Sequence, residues 1–298
     1  MAHLERALRD LPLYLAYRAL AGAFGLLPEA AVRRLGWWLG RLAYRFAGDR
    51  RRMVRRHMRR VLGPDADVEA AARDVFGYYG RYWAEVFWVT PHRREEIVAH
   101  TELVGVEDFR RHVQADYGVV LALAHLGNWE AAGARADAEG GRVLAVAESL
   151  PNRRITDWFL SVRNALGMDV VLTGSGGVTR ELVARLRDGG VVALLCDRDL
   201  KGTGVEVEFF GEVTTMPAGP VALADRTGAV ILPVGLYFEE GRGHRFTVED
   251  PLEIPPLETR EERVAAGTQL LAKRLEGLIR AHPTQWHLLQ ANWPSDRA

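Results

Sequence analysis

Candidate strands that alternate with helical patterns constrain this chain more than any other feature of it. The candidate strands, several of them short apolar runs, fall at residues 119–124, 143–147, 169–172, 191–196, 205–210, 230–237 and 245–249, and helical patterns at 130–139, 152–166, 178–187, 218–226 and 258–281 lie between or after them. Alternation of this kind predicts an α/β fold, a mostly parallel twisted sheet covered by helices. In such sheets ligands gather at the carboxyl ends of the strands. Two residues fall there: His125, directly after the first run, and Asp197, directly after the run that ends at Cys196.

His125 opens the hexapeptide His125-Leu126-Gly127-Asn128-Trp129-Glu130. Residues five apart on a helix point well away from each other, and an odd separation in a strand puts them on opposite faces, so only a turn brings His125 and Glu130 together. Gly127 can bend the backbone and Asn128 can cap the following helix. The expected result is a histidine whose tautomer is held by the Glu130 carboxylate, a base suited to taking a proton from an alcohol near neutral pH. Spacing alone carries little weight. His244 and Glu249 are equally far apart, but they lie in an alternating segment that sets them on opposite faces of a strand, so that pair is set aside. The alternative for His125 is a strand-end histidine satisfied by backbone groups.

Other residues at the same edge have open readings. Asp197 and Asp199 either bind substrate or are solvated charges at a strand exit; no histidine or third carboxylate at useful spacing supports a metal there, and none is expected. Cys196 reads as a small buried hydrophobe rather than a nucleophile. Arg163, near the end of a helical stretch, either faces solvent or holds an anionic group. The run Gly174-Ser175-Gly176-Gly177 precedes a helix but lacks a P-loop lysine and the full dinucleotide-binding spacing, so a plain strand-to-helix turn is expected.

The 298 residues suit one large core or a core with a helical arm, and a single cysteine excludes an internal disulfide framework, as in an intracellular protein. The charged start, with no small-residue cleavage pattern after it, gives no sign of a signal peptide. The formal net charge is zero, yet residues 1–62 carry fourteen arginines against four acids, a local charge of +10. Such asymmetry points to an anionic partner. Residues 11–27 are nearly all apolar apart from Arg18, too short a stretch to span a bilayer but able to lie on one. In the next helical pattern Val32, Leu35, Leu39, Leu42 and Phe46 form one stripe while Arg33, Trp37, Arg41 and Arg45 form another, and tryptophan among arginines is an interfacial signature. The plainer alternative is a solvated basic helix with an ordinary buried stripe. No nucleic-acid module accompanies the charge, so an anionic membrane is the expected partner. The expected organisation is a membrane-associating helical arm over 1–62, basic and amphipathic, and an α/β domain over 63–298.

Taken together, the basic arm, the His125-to-Glu130 motif, the Arg163-to-Gly167 block, the CDRDL and GVEVEFFGE segments, MPAGPVALADRTGA and the His282-Pro283-Thr-Gln285-Trp286 tail resemble the lysophospholipid-type bacterial acyltransferases. The similar branch is the one that includes lipid A late acyltransferases and actinobacterial phosphatidylinositol mannoside acyltransferases. Glu130 stands where many members have aspartate. The resemblance implies transfer of a fatty acyl chain, palmitoyl as the first expectation, from acyl-CoA to a mannose hydroxyl of phosphatidylinositol mannoside. His125 would act as base with Glu130 as its partner, and no acyl-enzyme, cofactor or metal is required. N–H groups at the helix start near Asn128 would hold the oxyanion. Arg163, Asp197, Asp199, Asn128 and, more weakly, Glu148 would bind or position the substrates, at the cytoplasmic face of the plasma membrane. Two alternatives remain: another glycolipid such as lipid A acylated from an acyl carrier protein, or a peripheral lipid-binding protein without turnover.

Overall fold

The computed structural model describes residues 2–174, 176–199, 202–241 and 243–297, with side chains from residue 10 onward. Ser175 of the glycine-rich run, Leu200 of the CDRDL segment and the side chains of Glu5, Arg6 and Arg9 lie outside the described residues.

Helices α1 (Ala2–Gly25), α2 (Glu29–Ala43), α3 (Gly48–Leu62) and α4 (Val68–Trp88) come first. The α/β part follows as α5 (Arg94–Ala99), β1 (Thr101–Val104), α6 (Val106–Val113), β2 (Val119–Leu123), α7 (Trp129–Ala138), β3 (Val143–Ala147), α8 (Arg153–Ala165), β4 (Met168–Leu172), α9 (Val178–Arg187) and β5 (Val191–Leu195). After these come β6 (Val205–Phe209), β7 (Glu212–Met216), α10 (Gly219–Thr227), β8 (Val230–Phe238), β9 (His244–Val248) and α11 (Arg260–Ala281).

Among the described residues the main sheet has the order β1-β9-β8-β2-β5-β3-β4 and is parallel except between β8 and β9. The α/β expectation therefore holds. One segment differs: 205–210 leaves the main sheet and pairs with β7 as a separate antiparallel hairpin. Its turn runs through Phe210 and Gly211, both at positive φ, the backbone that a tight two-residue hairpin turn demands. Strand β1 alternates buried and exposed residues over only four positions, too short for a periodic signal.

The central strand β2 is buried along its whole length, and its alternate residues feed two cores. Val120 and Ala122 face the core that α9, α10 and α11 cover, while Leu121 and Leu123 face the one beneath α5, α6 and α7.

Helix α2 meets α4 through glycine. A Cβ at Gly36 would fall 2.8 Å from the Gly80 carbonyl oxygen, and one at Gly40 would collide with the Phe76 carbonyl, so the two backbones are nearly in contact. Val32 and Arg33 share this buried side, whereas Leu35, Trp38, Leu39, Leu42 and Phe46 are exposed. Most of the apolar stripe thus faces outward, because small residues occupy the inner face. Arg33 reaches Glu85 at 3.3 Å and the carbonyls of Gly241 and Gly243. No helix among the described residues is long and apolar enough to cross a membrane.

Candidate active site

Strands β2 and β5 are parallel neighbours in a register that sets Leu123 beside Leu195. Two residues further on, His125 and Asp197 leave the sheet side by side. The Nδ1 of His125 is 2.7 Å from Oδ1 of Asp197, and the His125 backbone N–H donates to Oδ2 at 3.1 Å. The indole Nε1–H of Trp286 donates to the same Oδ2 at 2.8 Å. Burial alone would raise the Asp197 carboxyl, but the His125 imidazole and these hydrogen bonds outweigh it and hold the group below the usual carboxylate range. An ionised acceptor at Nδ1 fixes the imidazole tautomer and leaves Nε2 as the basic nitrogen.

The segment 283–297 closes over this pair. His287 N–H donates to the His125 carbonyl at 2.7 Å, Gly127 N–H donates to the Gln285 carbonyl at 3.2 Å, and Asn292 Nδ2 donates to the Asp197 carbonyl at 3.1 Å. His287 Nε2 lies 3.1 Å from the Gly127 carbonyl. Burial pushes the His287 imidazole down to about 3, so the ring is neutral and Nε2 is the donor. Gly127 has φ 60° and sits so close to the Leu236 carbonyl that any Cβ would collide with it. The segment is itself tied down where Asp296 accepts from Asn292 and Trp293 backbone N–H groups and pairs with His57 and Arg60 on α3.

Glu130 does not partner His125. Its two oxygens receive Arg163 Nε at 3.0 and 3.1 Å and Nη2 at 2.6 Å, a bidentate pair between α7 and α8 with Glu130 buried. The guanidinium satisfies this carboxylate, while the register of β2 and β5 has already given His125 a closer acid. Asn128 caps α7 as the sequence suggests, its Oδ1 accepting from the N–H groups of Glu130 and Ala131. Those two donors are thereby committed, so they are not available to an oxyanion. Asn128 is buried, and its Nδ2 donates at 2.8 Å to Glu85, which also meets His244 Nε2 at 2.6 Å and Arg81 at 2.8 Å. Burial acts against ionising Glu85, but the charges of His244, Arg81 and Arg33 prevail and its carboxyl lies far below the ordinary range.

Glu148 is exposed, with Arg198 Nη2 3.7 Å from its Oε1, and both line the cavity described below. Asp199 turns away. Its carboxylate accepts from the backbone N–H groups of Gly202 at 3.0 Å and Gly204 at 2.7 Å, shaping the loop toward β6. Cys196 is fully buried with its thiol pushed up by that burial, as befits a small hydrophobe. Trp286, Asn292 and His287 were not singled out as site residues in the sequence, because their contacts depend on how a distant segment folds back.

A cavity of about 430 Å3 extends from this edge between the sheet and helices α4, α7 and α8. His125, Trp129, Glu130, Arg163, Arg198 and Glu148 lie on its polar side. Most of its remaining wall is apolar, with Tyr82, Trp83 and Val86 of α4, Leu121 and Leu123 of β2, Ala132, Gly133 and Ala136 of α7, Val143 and Ala145 of β3, Met168 of β4 and Phe246 of β9 among its residues. A long apolar chamber with a few converging polar groups at one end suits an amphiphile with a reactive head. Among the described residues, acidic and imidazole groups converge closely enough for a metal ion at Glu29, Glu96 and His100, within 4.8 Å of one another. Glu29 is already paired with Arg33 and His100 there, and none of the three lines the cavity.

The family model for bacterial lipid A biosynthesis acyltransferase matches residues 3–295. The phosphatidylinositol mannoside acyltransferase of Mycobacterium tuberculosis (strain CDC 1551 / Oshkosh) is 40% identical over 288 residues, which is 94% of this chain and 88% of the relative. The protein of the same name from Mycolicibacterium smegmatis is 36% identical over 275 residues, 91% of this chain and 88% of the relative. A more distant match, the lipid A biosynthesis lauroyltransferase of Escherichia coli (strain K12), is 26% identical over 255 residues, 83% of this chain and 81% of the relative.

Proposed function

Because this chain belongs to the bacterial lipid A biosynthesis acyltransferase family, we propose that it moves a palmitoyl chain from acyl-CoA to a mannose hydroxyl of phosphatidylinositol mannoside, with His125 as general base and Asp197 as its orienting acid. The observation that carries this reading is the 2.7 Å contact between His125 Nδ1 and Asp197 Oδ1 beside an apolar cavity. The acceptor hydroxyl gives its proton to His125 Nε2 as its oxygen attacks the thioester carbonyl carbon. Collapse of the tetrahedral intermediate breaks the C–S bond, and the imidazolium returns the proton to the leaving thiolate. Asp197 stays ionised throughout and stabilises the charged imidazole.

Glu130 has a different task in this scheme: it positions Arg163, whose guanidinium offers positive charge to the donor head at the cavity mouth. Arg198 and Glu148 flank the mouth and engage the polar heads of donor and acceptor. The acyl chain lies in the apolar chamber, which excludes water and so favours the sugar hydroxyl as acceptor.

The protein works as a peripheral enzyme on the cytoplasmic face of the plasma membrane, with residues 1–62 as its membrane-associating arm. Support for this comes from exposed Leu35, Trp38, Leu39 and Leu42 on α2 and Phe46 in the turn after it, with exposed arginines on α2 and α3.

The test is transfer of radiolabelled palmitate from palmitoyl-CoA to phosphatidylinositol mannoside by purified wild type and His125→Ala. Transfer by the wild type and its loss in the variant, with an unchanged melting temperature, are expected. Equal transfer by both would overturn the assignment of the base, and transfer only from acyl carrier protein, or only to lipid A, would replace the donor or acceptor named here.

A further inference from the structure

We infer that Met168, seated against Gly133, is the floor of the acyl chamber and sets the longest chain the enzyme accepts. The inference rests on the acyltransferase reading and adds the element that selects among donors.

Met168 opens β4, and the register carries its row through Val143 and Val191 to Val119. It therefore lies six residues below His125 along the strands and three strands away, about 20 Å along and about 14 Å across at the usual strand spacings. The two backbone positions are then about 24 Å apart; an extended palmitoyl chain covers about 18 Å of this at ~1.2 Å per bond, the gain that an extended backbone shows, and the remaining distance of about 6 Å is spanned by the His125 and Met168 side chains, which both line the chamber. Both Met168 and Gly133 line the chamber, and Met168 is 4% exposed. Their contact is unusually close. A Cβ built at Gly133 would clash with the Met168 side chain, falling nearest its sulfur, 2.8 Å from its Cγ and 3.1 Å from its Cε. The thioether thus fills the place that any other residue at 133 would claim, and a larger residue there would drive it elsewhere. A methionine floor is flexible enough to move but bulky enough to stop a chain.

Two substitutions should act in opposite directions. Met168→Ala removes the floor and should raise the ratio of kcat/KM for stearoyl-CoA over palmitoyl-CoA about tenfold, while Gly133→Ala displaces the thioether into the chamber and should raise the ratio for myristoyl-CoA over palmitoyl-CoA about tenfold, since each methylene in an apolar site discriminates strongly. An unchanged chain-length profile in folded Met168→Ala overturns the proposal. If Gly133→Ala does not fold, Met168→Ala decides alone. If the wild type transfers no acyl group, the acyltransferase reading fails separately; calorimetric binding of fatty acids of increasing length then reads the floor directly, and the same shift toward longer chains in Met168→Ala is required.

Discussion

The imidazole of His125 and the carboxylate of Asp197 come from the ends of adjacent parallel strands, 72 residues apart in the chain and 2.7 Å apart in space. Sheet register pairs them, and Trp286 fixes the orientation of the acid from its other oxygen. Replacing Asp197 with Asn keeps the shape but presents an amide to Nδ1, which permits the wrong tautomer. A fall in kcat on the order of a thousandfold or more is expected, with KM little changed. Steady-state kinetics of Asp197→Asn check this, and near-normal kcat would show that the pair does not hold the base.

The Glu130–Arg163 pair makes a prediction about stability as well as rate. Removing one partner strands a largely buried charge, so Glu130→Ala should lose about 3 kcal/mol of unfolding free energy. The double variant Glu130→Gln with Arg163→Met should recover part of that loss without recovering activity. Urea denaturation and transfer assays on the three proteins separate the two effects.

His287 predicts a pH dependence of stability. Its folded-state value is about 3 against an ordinary 6.5, so above pH 6.5 the ring is neutral in both states and its contribution is fully present. As pH falls from 6.5 toward 3 the unfolded chain takes up a proton that the folded one refuses, and stability is lost. Glu85 and Asp296, whose carboxyls lie below the ordinary range, lose stability in the same direction but at lower pH. Between roughly pH 4 and 6 the wild type should therefore lose up to about 1.4 kcal/mol per pH unit more than His287→Gln does. Denaturation curves across that range measure the difference, and parallel curves would refute a buried neutral ring.

The exposed side of α2 and the turn after it predict how the protein meets lipid. Trp38→Glu with Phe46→Glu removes two side chains that are 64% and 81% exposed. Affinity for vesicles containing phosphatidylglycerol should fall at least tenfold. Wild-type binding should weaken with added salt as the arginines are screened. Vesicle sedimentation provides both readings.

Much of the architecture was legible because β2, β3, β5 and β8 are continuous apolar runs and the helices between them keep their own period. The site was legible in part. Placing His125 and Asp197 at one sheet edge needed only strand ends, but joining them needed the β2–β5 register, which is a property of strands far apart in sequence. Glu130, near in sequence and correctly spaced for a turn, was the partner that local reasoning preferred; Arg163, on a different helix, takes it instead. The cap at Asn128 is legible since a helix cap is a local event, but the turn of its amide toward Glu85, away from any substrate, is not. For α2, the leucine stripe was visible but the side that would be buried was not, because Gly36 and Gly40 decide it by letting the α4 backbone come close.

That glycine-lined crossing has a mechanical consequence. Where Gly36, Gly40 and Gly80 meet, almost no side-chain layer separates the two helices, so there is little there to repack if α2 shifts against α4. Since α4 is also the wall that carries Tyr82, Trp83 and Val86, the surface that would rest on lipid is only one helix away from the compartment that would receive the hydrocarbon.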